Sequence, residues 1–165
     1  MKQNEKPFVI ALDLGGTNSV FGIVDSSGEI KASTSIKTQA YTTVEEYVAA
    51  SCQAVMTIGE ETGGMENIKA MGIGAPSANY YRGTIENAAN LVWGKGIVPL
   101  AKLFEDKLGV PVALTNDANA AALGEKWYGV AQGMNNFVEI TLGTGVGSGI
   151  VVNGQLLYGC DGFAG

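Results

Sequence analysis

An α/β fold, a mixed sheet with helices on its faces, is what this sequence predicts, and three observations predict it. β-rich runs at residues 8–14, 19–25 and 29–37 follow one another with only tight turns between them. Helical and strand patterns then alternate as far as residue 128. The opening pattern of strand, glycine turn and strand returns at residues 137–157, with Leu142-Gly143 matching Leu14-Gly15. The repeat predicts two lobes that begin alike, the second of them incomplete.

Gly15-Gly16 separates the first two strands, and Asp25-Ser26-Ser27-Gly28 separates the second and third. Thr42-Thr43-Val44-Glu45-Glu46 carries a capping-box signal, a Thr followed three residues later by Glu. The helix it opens sets Val44, Tyr47, Val48, Val55 and Ile58 on one face and stops at Gly63-Gly64, with Cys52 placed in the core. Residues 68–74 read as a buried strand. A long loop rich in Asn, Gly and Tyr follows over 75–96, with a short strand near 83–86. Pro99 starts a helix with Leu100, Leu103, Phe104 and Leu108 at helical spacing and Gly109 as its stop. Residues 112–115 form a strand and 118–128 an Ala-rich helix. Strands at 137–142, 148–153 and 155–158 complete the chain.

Composition narrows the function classes. A formal net charge of -6 disfavours a nucleic-acid partner, since phosphate backbones are held by clustered Lys and Arg. No apolar run is long enough for a membrane span. The sequence has 0 His, which removes His-based acid/base and metal chemistry. Two cysteines without metal-ligand spacing, and a polar start at residues 1–6 with no secretory pattern, predict a cytoplasmic setting. Glycine is the unusual count, 24 of 165 residues, and the glycines gather at a few turns.

Four segments can carry chemistry, and each has an ordinary alternative. Asp13-Leu14-Gly15-Gly16-Thr17-Asn18 joins two strands. Its glycines let backbone N–H groups approach an anion, Thr17 adds a hydroxyl, and Asp13 could hold Mg²⁺ through water. The alternative is a plain glycine hairpin, and the segment is not a P-loop, because no G-x-x-x-x-G-K-[ST] is present. Residues 142–149, Leu-Gly-Thr-Gly-Val-Gly-Ser-Gly, offer bare donors in the same way, or form a bulged hairpin. Asn116-Asp117 stands where a strand meets a helix. A carboxylate there can accept a proton from a substrate hydroxyl, or it can simply cap the helix. Asn87, Asn90 and Trp93 in the long loop suit a sugar site, although Asn and Gly are also turn formers. Glu125, Trp127 and Tyr128 read as packing and surface residues.

The order and spacing of these segments resemble the sugar-kinase branch of the actin-like ATPase superfamily. Within it the chain is similar to the ROK family (repressors, open reading frames, kinases), and to its bacterial glucokinases. The residues that carry the resemblance are Ala11-Leu12-Asp13-Leu14-Gly15-Gly16-Thr17, Gly72-Ile73-Gly74-Ala75-Pro76, Asn90-Leu91 with Trp93, the run from Asn116-Asp117-Ala118-Asn119 to Gly124-Glu125, and residues 142–149. The resemblance implies an RNase H-like fold in two lobes, residues 1–118 and 119–165, with ATP and a hexose meeting between them. Asp13 would organise Mg-ATP. Gly15, Gly16 and Thr17 would face phosphate oxygens, as would Gly143, Thr144 and Gly145 from the other lobe. Asn90, Asn116 and Asp117 would bind sugar hydroxyls, and Asp117 would be the base that activates the 6-hydroxyl of glucose.

At Cys160-Asp161-Gly162-Phe163-Ala164-Gly165 the family pattern continues into a sugar-binding Glu-x-Gly-His segment and a Cys-rich structural zinc motif, neither of which is in this sequence. The resemblance therefore implies an N-terminal fragment, inactive alone, that self-associates through an uncovered second-lobe sheet. Two further readings stand beside the kinase. One is a sugar-sensing ROK regulator without its DNA-binding domain, disfavoured by the few residues before Phe8. The other is a non-catalytic nucleotide-binding module, disfavoured by Asn116-Asp117 and the Asn-rich loop.

Overall fold

The computed structural model describes residues 6–143 and 145–165. Its first sheet is built by β1 (Phe8–Leu14), β2 (Asn18–Asp25), β3 (Ile30–Lys37), β4 (Ile68–Ala75) and β8 (Val112–Asn116), in the order β3-β2-β1-β4-β8. β1 runs antiparallel to β2 and parallel to β4, and β4 runs parallel to β8, so the sheet is mixed as expected. The helix α1 (Val44–Glu60) lies between β3 and β4 in the chain, and α2 (Leu100–Leu108) leads into β8.

The two faces of this sheet have different fates because side chains alternate along a strand. Ile10, Leu12 and Leu14 of β1 are buried with Phe21, Ile23, Met71, Ile73 and Leu114. Tyr47, Val48, Cys52, Val55 and Ile58 of α1 and Leu100 and Phe104 of α2 complete that core. α1 begins with the capping box read from the sequence: Glu46 N–H donates to Thr43 Oγ1 at 3.3 Å, and the Glu46 carboxylate accepts from Thr43 N–H at 3.4 Å. On the opposite face Val9, Ala11, Asp13, Gly72, Gly74, Ala113 and Thr115 turn toward a cleft. α3 (Asp117–Tyr128) forms the far wall.

Three departures from the sequence reading have local causes. The long loop holds a small antiparallel sheet of β5 (Ala78–Asn79), β6 (Thr84–Glu86) and β7 (Ile97–Val98), whose two- and three-residue strands are too short to show alternation. Pro99 is the N-cap of α2 and not its first helical residue. The second hairpin, β9 (Phe137–Leu142) with β10 (Val146–Val152) and a short β11 (Gln155–Leu156), starts its return strand at Val146. Gly147 and Gly149 hide that start, because glycine carries no β-pattern.

Tyr47 is the centre of the aromatic core. Its ring stacks on Trp93 at 4.8 Å and meets Phe104 edge-on at 6.4 Å. Burial pushes its phenol up from 10.0 to about 12. The folded chain keeps a proton that the unfolded chain has already released, so this contribution is complete below about pH 10 and is lost as pH rises through about 12. Urea unfolding over that range should show stability falling by an extra ~1.4 kcal/mol per pH unit relative to Tyr47→Phe. An identical pH dependence in the two proteins would contradict the assignment.

Candidate functional site

Three parallel strands end together. Asp13 of β1 pairs with Gly74 of β4, and Gly74 pairs with Thr115 of β8, so the carboxyl ends of β1, β4 and β8 lie side by side. This edge is where α/β sheets gather ligands. A cleft of about 900 Å³ opens there, lined by Asp13, Gly74, Thr115, Asp117 and Thr141 among others. Two carboxylates that are far apart in sequence, Asp13 and Asp117, thus share one cleft, and both are exposed.

The first glycine turn leaves β1 immediately above Asp13. Gly15 spends its N–H inside the turn, on the Asn18 carbonyl at 3.0 Å. Gly16 lies against Asn90: a methyl group on Gly16 would stand 3.0 Å from the Asn90 carbonyl and 3.2 Å from its Nδ2. The structure therefore brings Asn90 to the turn across more than seventy residues of sequence. Thr17 is exposed.

Asn116 is the N-cap of α3, and Asp117 is the first residue of the helix. The Ala118 N–H donates to Asn116 Oδ1 at 2.9 Å and lies 2.9 Å from Asp117 Oδ1. Capping and chemistry are compatible, because a cap occupies one oxygen and Asp117 still faces the cleft. Gly74 admits the helix at this point, since a methyl group there would come 3.1 Å from Ala120 Cβ.

The second hairpin is fastened to the same helix. A methyl group on Gly149 would overlap Ala122 Cβ, and one on Gly147 would stand 3.1 Å from Ala118 Cβ. These two glycines serve close packing, so the glycine-rich strand and the alanine-rich helix account for each other. Gly143 and Gly145 stand at the exposed tip, joined by a Gly143 N–H to Gly145 carbonyl bond of 2.9 Å. The cleft lining reaches Thr141, two residues before them. Thr144 lies outside the described residues.

Two sugar-site candidates are structural instead. Trp93 is buried on Tyr47, so its ring is core. Asn87 adopts a left-handed backbone, φ 54°, and its Oδ1 accepts from Gly96 N–H at 3.1 Å, which closes the loop. The sequence reading missed Tyr80 and Tyr158, which stack at 4.1 Å with planes 6° apart and line the cleft. Burial raises the Tyr158 phenol above its usual range. The tyrosine content of the long loop was a signal for Tyr80 alone, since Tyr158 follows the last short strand. Trp127 and Tyr128, read as packing and surface residues, also line the cleft from α3. Among the described residues no group of three or more His, Cys, Asp or Glu is placed to hold a metal ion, and no helix is long and apolar enough to cross a membrane.

Comparison with known proteins supplies an independent line. The profile of the ROK family matches residues 9–165. The chain is 40% identical over 158 residues to a glucokinase of Streptomyces coelicolor, an alignment covering 94% of this chain and 47% of that protein. It is 39% identical over 101 residues to a xylose repressor of Caldicellulosiruptor bescii, covering 61% of this chain and 25% of that one. Its structure is similar to that of a ROK family glucokinase from Streptomyces griseus in complex with glucose and AMPPNP. There the TM-score is 0.81 and the identity 38%, with 94% of this chain and 47% of that chain covered. The chain thus spans about half the length of the glucokinases it matches.

The packing of the hairpin on α3 has a measurable consequence. Gly149→Ala should lower stability in urea by ~1–3 kcal/mol through overpacking, whereas Gly143→Ala, in open space, should change it by less than about 0.5 kcal/mol. Equal effects would mean that the hairpin does not rest on Ala118 and Ala122.

Proposed function

Since the chain belongs to the ROK family, we propose that it carries the phosphate turns and catalytic base of a kinase that moves the γ-phosphoryl group of ATP onto the 6-hydroxyl of a hexose, glucose first among them. The observation that carries this reading is the meeting of Asp13 and Asp117 in one cleft at the carboxyl ends of β1 and β8, beside a glycine turn that touches Asn90. The similarity to glucokinases, one of them solved with glucose and AMPPNP, supports the choice of substrates.

In this reading Asn90, Asn116 and Asp117 hydrogen-bond sugar hydroxyls. Asp117 Oδ2 takes the proton of the 6-hydroxyl as that oxygen bonds to the γ-phosphorus and the bond to the β-phosphate oxygen breaks, releasing ADP. Asp117 is the first residue of α3, so its carboxylate stands at the positive end of the helix dipole. Gly15, Gly16 and Thr17 form the turn that holds the nucleotide's phosphates from the first lobe, residues 1–118, and Gly143, Thr144 and Gly145 hold them from the second, residues 119–165. That boundary lies in the first turn of α3. A single carboxylate suits Mg²⁺, which keeps most of its water and binds through substrate phosphates, so Asp13 would hold it through water. The ion would neutralise charge developing on the phosphoryl group. ATP as donor implies a cytoplasmic setting.

A second reading is a sugar-sensing regulator, favoured by the similarity to the xylose repressor. It binds sugar through the same Asn and Asp residues without phosphoryl transfer. A coupled phosphorylation assay of the full-length gene product against a hexose panel separates the two: turnover supports the kinase, and sugar binding without turnover supports the regulator.

In that full-length protein Asp117→Asn should cut turnover about 10²–10⁴-fold while sugar affinity is kept, the usual scale for loss of a general base. Turnover near normal would remove Asp117 from the base role. The 165-residue chain by itself should show no phosphoryl transfer and should self-associate through β9 and β10, where Val138, Ile140, Leu142 and Val146 are between 57% and 80% exposed. A monomer in sedimentation would contradict that.

A further inference from the structure

Behind the first glycine turn lies a line of hydroxyls that the proposed chemistry does not use. Thr38, in the tight turn after β3, donates its hydroxyl to the Gly15 carbonyl at 2.8 Å. Its Oγ1 is 2.8 Å from Ser19 Oγ, which in turn is 2.9 Å from the Tyr47 hydroxyl. All three residues are buried, Ser19 and Tyr47 at 0% exposure and Thr38 at 2%. A hydroxyl has one proton to give, so the chain has one direction. Thr38 has spent its proton on Gly15, so Ser19 must donate to Thr38 and Tyr47 to Ser19. The high phenol pKa keeps the Tyr47 proton in place.

The end of that line matters because of peptide geometry. In a trans peptide the C=O and N–H point in opposite directions. Drawing the Gly15 carbonyl inward to Thr38 turns the N–H of Gly16, in the same peptide plane, outward. Thr38 also donates its backbone N–H to the Thr17 carbonyl at 2.9 Å, which turns the Asn18 N–H away from β3 in the same manner. Thr38 therefore grips two carbonyls of the turn at once. Core packing alone does not call for this arrangement, because Val, Ala and Phe would fill similar space without burying three hydroxyls. Tyr47 also stacks on Trp93, whose loop places Asn90 on Gly16, so one segment touches both ends of the line.

We infer that Tyr47, Ser19 and Thr38 are positioning residues that aim the Gly16 N–H at a bound phosphate oxygen. The inference rests on reading this turn as a phosphate cradle, which is the reading proposed above. The same geometry leaves the Gly16 N–H as the donor of the turn, while Gly15 spends its N–H on the Asn18 carbonyl and gives its own carbonyl to Thr38.

The test uses the ¹⁵N-labelled chain and Mg²⁺-tripolyphosphate as the probe, followed by NMR of the backbone amides. Thr38→Val should stay folded, move the ligand-free Gly16 amide resonance, and weaken tripolyphosphate binding at the turn about fivefold or more, the scale of one oriented hydrogen bond. Thr38→Ser should restore both properties. Tyr47→Phe, which keeps the ring and its stack on Trp93, should show a smaller change of the same kind and covers the case in which Thr38→Val does not fold. An unmoved Gly16 resonance with unchanged binding in Thr38→Val and Tyr47→Phe overturns the inference, as does a loss in Thr38→Ser equal to that in Thr38→Val. If the unaltered chain does not bind tripolyphosphate at the turn, the phosphate reading fails and this inference falls with it. A Gly16 shift in Thr38→Val would then mark Thr38 as a purely structural clamp.

Discussion

α3 lies so close to its neighbours that small residues face one another on both sides of the contact. Ala118 and Ala122 press on the glycines of β10, and Ala120 presses on Gly74 at the end of β4. Only residues without bulk allow a helix to come so near two backbones. That approach joins the second hairpin to the first sheet through α3. Because α3 begins at the carboxyl edge of β8, Asp117 enters the cleft that Asp13 enters from β1. A bulkier helix would move Asp117 and the second turn together.

Much of this was legible in the sequence, for reasons that differ by element. The capping box at Thr43 and Glu46 and the apolar spacing of α1 are local signals, and both held. The Asp13 turn and the Asn116-Asp117 junction were found because strand ends and helix starts leave marks in composition. The mixed character of the sheet followed from three successive strands and then alternation. The family resemblance rested on the order of these same segments.

What escaped was set by contacts between distant residues. Trp93 has the composition of a sugar site, yet it stacks on Tyr47, forty-six residues earlier, and nothing local could reveal that. Asn87 resolved to the turn former that it also resembled. Gly147 and Gly149 share one glycine-rich run with Gly143 and Gly145, and only the fold separates them as the glycines that pack on α3. The line from Tyr47 through Ser19 to Thr38 joins three segments, none with a motif of its own. Hydroxyls in a β-rich or helical run look alike whether they face water or a buried carbonyl.

The central claim is that one triphosphate is held between the first turn, the second turn and the start of α3. Paramagnetic broadening by Mn²⁺-AMPPNP in the full-length protein measures this directly, because it marks amides close to the bound ion. The account requires Gly16, Asp117 and Gly143 to broaden together at one concentration of nucleotide. Broadening confined to one of the three, or at a site away from the Asp13 cleft, would contradict it.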